Sequence, residues 1–259
     1  VGGPGSSPRV LETMSSWADP GMAVVPLEVM YPPATTQEEV TDSGTAAMES
    51  SQDMAIAAGL NDLDHDYETS LSVSAIEPGV PAESSLRVGD QLLELDGEPI
   101  ASFESLRDDL LAMPDDSAQL SVLRDGTRTD VSVETIDEGH GRQLGVYLDR
   151  EFDFPFEVDF GLEDVGGPSA GMMLSLSLID QLTEGSLAGD HHVVGTGTID
   201  AEGDVGPIGG IRQKMIGASQ AGADLFLAPV ENCDEVRGHT PDGLPVVAVD
   251  TLDEAEEAL

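Results

Sequence analysis

Three hydrophobic rhythms follow one another along this 259-residue chain, and they restrict it to a mixed fold of helix and sheet. From Gln37 to Leu60 the chain is rich in acid and alanine. Met54, Ala57 and Ala58 share one face there, at the spacing of a helix, which Gly59 and the Asp-rich stretch 61–66 are expected to end. In the next segment the period drops to two: Leu71, Val73 and Ala75 alternate with polar residues, as in a strand with one buried face. Beyond it, strand-like and helix-like runs alternate to the C-terminus. The division this predicts is an N-terminal segment 1–64, a β-rich module 65–137 and a larger α+β or α/β domain 138–259.

Local signals fill in the elements. Val10-Leu11 and Ala23–Leu27 are candidate strands in the N-terminal segment. In the β-rich module, Gly89-Asp90 and Asp96-Gly97 turn the chain on either side of the strand Gln91–Leu95. Phe103, Leu106, Leu110 and Leu111 recur at helical spacing, and Asp125-Gly126 between two alternating runs predicts a hairpin. Further on, strands are expected at Phe156–Phe160, Val193–Ile199, Asp224–Ala228 and Leu244–Val249. Helices are expected from Pro168 to about Gln181 and over Gly210–Ala221, and Thr251 with Glu254 forms a capping box for a closing helix.

The charge balance removes several classes of function. With 51 acidic residues against 10 basic ones the formal net charge is −41. Such a surface neutralises no phosphates, which argues against nucleic acid, and it is repelled by an anionic membrane. Because the acids are spread along the whole chain, adaptation to high salt is one expectation and an ordinary solvated acidic surface the other. Cys233 is the only cysteine, so an intrachain disulfide is impossible. No metal site is expected: His191-His192 lack carboxylates at ligand spacing, and His65 and His140 sit in acidic loops. No apolar run approaches the ~20 residues that span a bilayer.

Lys214 stands alone, since the other nine basic residues are all arginine. It shares a helical face with Ile211 and Ala218, a face that should pack inward. Burial disfavours the charged form of a lysine and brings its pKa towards neutrality, as a general base requires. Arginine cannot serve there, because it keeps its proton in proteins.

A nucleophile for such a base stands 45 residues upstream, in Gly166-Gly167-Pro168-Ser169-Ala170-Gly171. Pro168 suits a helix start, and Ser169 is expected in the first turn, beside unpaired backbone N–H groups that favour a developing oxyanion. The small neighbours Gly167, Pro168 and Ala170 leave room for a substrate carbonyl. Two other readings stay open. Gly167–Gly171 also satisfies the Gly-x-Ser-x-Gly elbow of α/β-hydrolases, with Asp224 or Asp234 and His239 completing a triad. Alternatively, the chain is a binding or adaptor protein on an inactive peptidase fold, and Ser169 merely caps a helix.

Two resemblances sharpen the picture. Ile76–Glu83, Leu86–Asp90 and Leu95–Ile100 resemble a PDZ domain. The likeness implies an extended peptide held by strand addition in a groove between Ser70, Leu71 and Val73 on one side and Leu106 and Leu110 on the other. Gly167–Gly171, Gly195–Ile199, Gly203–Lys214 and Ala228-Pro229 with Asn232 resemble the proteolytic domain of Lon peptidases. Together they look like the bacterial PDZ-containing, Lon-like membrane-anchored serine peptidases. This resemblance implies that Ser169 and Lys214 form a catalytic dyad, that the Thr196 hydroxyl supports the lysine, and that residues 1–64 contribute to a peptidase domain into which the PDZ module is inserted. It also implies an extracytoplasmic location through an N-terminal anchor absent from this chain, with protein or peptide substrates and no cofactor. Thr198 stands where Lon typically has glutamate, and Gly166 where bacterial Lon often has an acid. The chain lacks the Gly-Lys-Ser/Thr of a phosphate-binding loop, so proteolysis is expected to be ATP-independent. Oligomeric assembly is left open.

Overall fold

The computed structural model describes residues 13–259 apart from 15, 18–21, 23, 33, 115, 138, 140, 163 and 164. Two compact units emerge: Val1–Asp66 with Glu157–Leu259 form one, and Tyr67–Phe156 form the other, inserted into the first in sequence.

In the first unit, Leu27–Met30 is a short helix (α1) rather than the end of a strand. Pro26, whose carbonyl accepts the Val29 N–H at 3.1 Å, suits a helix start better than a ladder. Val10-Leu11 and Ala23 lie outside the described residues. Gln37–Asp62 is a helix of 26 residues (α2), opened by a capping box between Thr36 and Glu39. Gly59 does not end it. It is buried within the last turns, where an added Cβ would meet Leu178 Cδ2 at 3.2 Å, so it serves close packing instead of termination.

The second unit is an antiparallel sheet. Its strands are β1 (Glu68–Ile76), β2 (Gln91–Leu95), β3 (Glu98–Pro99), β4 (Ser117–Arg124), β5 (Thr127–Glu134) and β8 (Val146–Asp153). The order is β5-β4-β2-β1-β8 with β3 on β2, and helix α3 (Phe103–Ala112) covers the core. Two further strands, β6 (Ile136–Asp137) and β7 (Arg142–Gln143), pair with each other. The hairpin at Asp125-Gly126 has both residues at positive φ, 49° and 73°, which matches a tight two-residue turn. Leu71 and Val73 are buried, but a register shift between Val73 and Ala75 turns Ala75 out to solvent. Asp90, in the turn before β2, is held by both nitrogens of an Arg124 fork at 2.7 and 2.6 Å.

The expected boundary at residue 137 is corrected by β8, which pairs with β1 along its length from Glu68↔Asp153 to Ile76↔Val146. That strand belongs to the β-rich unit, so the unit runs to Phe156.

The rest of the first unit carries helices α4 (Gly171–Leu182), α5 (Ile211–Gln220), α6 (Cys233–Val236) and α7 (Leu252–Glu257). Strands β9 (Val193–Gly195), β12 (Leu225–Pro229) and β13 (Val246–Val249) form a parallel sheet in the order β13-β12-β9, and β10 (Thr198–Ile199) pairs antiparallel with β11 (Val205–Gly206). No strand forms over Phe156–Phe160; no partner ladder reaches it, and Asp159 turns back to accept the Gly161 N–H at 2.8 Å. The α2–α4 pair packs Met48, Ala55 and Ala58 against Met172 and Ile179, and a second cluster gathers Ile211, Met215 and Ala218 of α5 over Phe226 and Ala228. At α7 only half of the expected capping box is present: Thr251 Oγ1 accepts the Glu254 N–H, whereas Glu254 reaches the Asp250 N–H. Among the described residues no helix is long and apolar enough to cross a membrane.

Candidate active site

The expected helix beginning at Pro168 instead starts at Gly171, and Ser169 lies in the turn before it. The reason is tertiary. The Ser169 carbonyl accepts the Gly197 N–H at 3.0 Å and the Thr196 hydroxyl at 2.8 Å, so it is drawn to the β9–β10 strand region and not into the helical ladder. Gly167, at φ 88°, bends the chain into the turn in a conformation that costs other residues dearly. Its N–H donates to the Gly44 carbonyl of α2 at 2.9 Å. Among the described residues the N–H groups of Ser169 and Ala170 have no partner.

The same contacts split the expected strand Val193–Ile199 in two. Thr196 N–H goes to Leu227 and Gly197 N–H to Ser169, leaving β9 and β10 on either side. Gly197 has no space for a side chain: a Cβ would stand 2.8 Å from Val205 Cγ1 and 3.3 Å from Met172 Cβ. The Gly-Thr-Gly-Thr run is therefore a steric requirement for bringing Thr196 against the turn that carries Ser169.

Lys214 arrives from the other side, one turn into α5. Asn232, buried, bonds both backbone groups of Ile208 at 2.9 Å and so fixes the approach to that helix, and Gly210 at φ 73° opens it. Ile211, Met215 and Ala218 hold the inward face. Lys214 Nζ then lies 2.7 Å from Ser169 Oγ and 2.9 Å from Thr196 Oγ1. Since Thr196 gives its only hydroxyl proton to the Ser169 carbonyl, its oxygen is left to accept from Lys214. Burial pushes the lysine pKa below its usual value of 10.5. In a chain with 51 acids, Lys214 has no carboxylate partner among the described residues to oppose that shift.

The hydrolase-type triad does not assemble. His239 Nδ1 sits 3.1 Å from the Arg237 carbonyl, and Asp224 accepts the His192 N–H. Among the described residues no group of histidine, cysteine and carboxylate side chains could hold a metal. A cavity of ≈ 420 Å³ beside β10 and β11 is lined by Asp200, Asp204, Glu231 and Asp250; neither Ser169 nor Lys214 borders it.

The groove expected beside β1 is corrected by the sheet. With β2 on one edge and β8 on the other, the stretch Ser70–Val73 has no free backbone to offer. Leu71, Val73, Leu106 and Leu110 are core residues of the module, and Ser70 faces Glu151 across the β1–β8 ladder. The sheet's edges are β5 and β8.

Sequence reasoning also missed Ser51. It is buried at 4% exposure on α2 and donates to the Pro168 carbonyl at 3.1 Å. Its signal was present: Met48, Ser51, Ala55 and Ala58 follow one helical face, and a serine among them has to find a partner.

Two domain types are defined by this fold and by the sequences that match it. Residues 157–259 match the Lon protease (S16) C-terminal proteolytic domain, and residues 47–135 match a PDZ domain. The chain carries a Lon-type proteolytic domain together with a PDZ domain. The PDZ match begins inside α2, but α2 packs on α4, so residues 47–66 belong physically to the first unit. Lon protease 1 of Sorangium cellulosum is 36% identical over 121 residues, covering 45% of this chain and 15% of that protein. Lon protease 2 of Herpetosiphon aurantiacus is 39% identical over 118 residues, 44% of this chain and 14% of that protein. The chain thus spans about one-seventh of these relatives' length. A crystal structure of the PDZ domain of an SdrC-like protein from Listeria monocytogenes overlaps 30% of this chain and 85% of its own, at 21% identity and a TM-score of 0.28.

Proposed function

We propose that this chain is a serine endopeptidase that works without ATP, with Ser169 as nucleophile and Lys214 as general base. The observation that carries the reading is the 2.7 Å contact between Lys214 Nζ and Ser169 Oγ, in a place where burial favours the neutral amine. While the lysine is charged, an N–H donates to Ser169 Oγ. Once it is neutral, the contact reverses and the Ser169 hydroxyl donates to the nitrogen lone pair. Thr196 Oγ1 accepts one amine N–H and so points that lone pair at Ser169. Attack of Oγ on a substrate carbonyl carbon transfers the hydroxyl proton to Nζ, and in this reading the unpartnered Ser169 and Ala170 N–H groups donate to the oxyanion. The Lys214 ammonium returns the proton to the leaving amine as the peptide C–N bond breaks. Water then hydrolyses the acyl-serine, with Lys214 again taking a proton.

The PDZ unit presents protein substrate or gates access to the dyad. Strand addition falls to the outer edge of β8, where Tyr147 is 59% exposed and offers an aromatic side chain to an added peptide. An extracytoplasmic location on a membrane-anchored form is part of the same proposal. The test is turnover of an unstructured protein substrate in nucleotide-free buffer. Wild-type chain should cleave it and Ser169→Ala should not. Turnover unchanged in Ser169→Ala refutes the nucleophile, and binding without cleavage by wild type would leave an adaptor. Tyr147→Asp should weaken cleavage of the protein substrate and spare short chromogenic peptides; equal effects on both refute the presenting role.

A further inference from the structure

The turn that carries Ser169 is held from two sides. On one side the β9–β10 region takes the Ser169 carbonyl through Thr196 and Gly197. On the other, α2 takes the peptide before it: Gly44 accepts the Gly167 N–H, and the Ser51 hydroxyl donates to the Pro168 carbonyl at 3.1 Å. The approach of α2 is close. A Cβ on Gly166 would lie 3.5 Å from the Gly44 backbone, and a Cβ on Gly171 would lie 3.0 Å from Ser51 Oγ.

The Pro168–Ser169 peptide is planar and trans, so its carbonyl and its N–H point in opposite directions. Whatever fixes the Pro168 oxygen therefore also aims the Ser169 N–H. Proline adds a second constraint, because it has no N–H with which to tie the turn and its φ is already set. The orientation of this one peptide plane depends on the partners of its oxygen, and apart from a long 3.4 Å contact from the Gly171 N–H that partner is Ser51.

We propose that Ser51 is a positioning residue: by holding the Pro168 carbonyl it aims the Ser169 N–H at the place where the substrate oxyanion develops. The inference rests on the reading of Ser169 as nucleophile. Ser51 touches neither substrate nor the reacting atoms and acts through the peptide plane alone. It favours the tetrahedral state over the bound substrate, so its removal lowers kcat and leaves KM nearly unchanged.

A control for mere packing is built into the same helix pair. Ser175 of α4 is fully buried and donates to the Ala55 carbonyl of α2 at 2.9 Å, so its hydroxyl is bonded to α2 and not to the nucleophile turn. Ser51→Ala and Ser175→Ala each remove one buried hydroxyl from one interface. The experiment measures kcat, KM and Tm for both on a short peptide substrate, together with Ki for a peptide boronate that mimics the tetrahedral state. Ser51→Ala should lower kcat about 10- to 100-fold and raise the boronate Ki in parallel, with KM within about twofold, as for partial loss of an oxyanion donor. Ser175→Ala should lose similar Tm and keep kcat within about twofold. Wild-type kcat in Ser51→Ala, or equal kcat losses in both variants, overturns the proposal. Ser51→Thr and Ser51→Val, which share a shape and differ in the hydroxyl, repeat the test if the alanine variant is too unstable to assay. The threonine variant should then exceed the valine variant at least tenfold in kcat, and a ratio near one overturns the assignment. Ser169→Ala on the same peptide separates the two levels: activity surviving there refutes the nucleophile, whereas its loss beside an unaffected Ser51→Ala refutes only the positioning role.

Discussion

Glu256→Gln should stabilise the first unit, and only as pH rises. Asp62 at the end of α2 and Asp253 and Glu256 on α7 bring three carboxyl groups together. Burial first, then the charge and hydrogen bond of Asp62, push the Glu256 carboxyl from 4.5 up to about 7, while one of its oxygens, Oε1, is buried without a partner. Because the folded-state value lies above the unfolded one, the folded chain holds this proton more tightly. The contribution to stability is intact below 4.5 and is lost as pH climbs towards about 7, above which it is level. At about 1.4 kcal/mol per tenfold change the upper limit is about 3 kcal/mol; Glu256 is partly exposed, and solvent screening lowers this to about 1–2 kcal/mol. Glutamine keeps a donor for Asp62 and cannot ionise. Calorimetry between pH 5 and pH 8 should therefore show a Tm gain that grows through this window and reaches about 2–8 °C at the upper end. A gain that does not change with pH, or a loss at pH 8, refutes the shared-proton account.

Other expectations follow from the same contacts. Leu106→Glu puts a charge into the core of the PDZ unit, so it should unfold that unit, with a loss of about 3 kcal/mol or more in urea titration; a folded variant impaired only in peptide binding would restore the groove beside β1. Gly197→Ala should cost about 1–3 kcal/mol by thermal melting, since its Cβ would press on Val205 and Met172, and unchanged stability would show that the approach is looser than drawn. With a net charge of −41, Tm should rise between 0.1 M and 2 M KCl as self-repulsion is screened, and a flat response would remove the case for salt adaptation.

Features written in short-range patterns were legible. The α2 period, the Asp125-Gly126 hairpin and the lone lysine on the Ile211–Ala218 face each need only a few neighbouring residues to be read. Features decided by distant partners were not. β8 lies about 70 residues from β1, and nothing local announces that it closes the edge where a peptide was expected. Ser169 leaves the helix because Thr196 and Gly197 take its carbonyl, a competition invisible to helix propensity. The break between β9 and β10 has the same origin. The motif Gly195–Ile199 pointed to Thr196, yet the steric reason for its glycines appears only when Met172 and Val205 stand against them.

The central claim is that Lys214 must surrender a proton to activate Ser169. Mass spectrometry can follow modification of Ser169 by a peptidyl phosphonate, across pH, in wild type, Lys214→Arg and Lys214→Ala. In wild type the rate should rise with pH along a single ionisation that lies below the ordinary lysine value of 10.5, because burial favours the neutral amine. Both variants should react at least about 10³-fold more slowly, the arginine no better than the alanine, since a guanidinium keeps its charge. Labelling of Ser169 in Lys214→Arg at close to the wild-type rate would contradict the account.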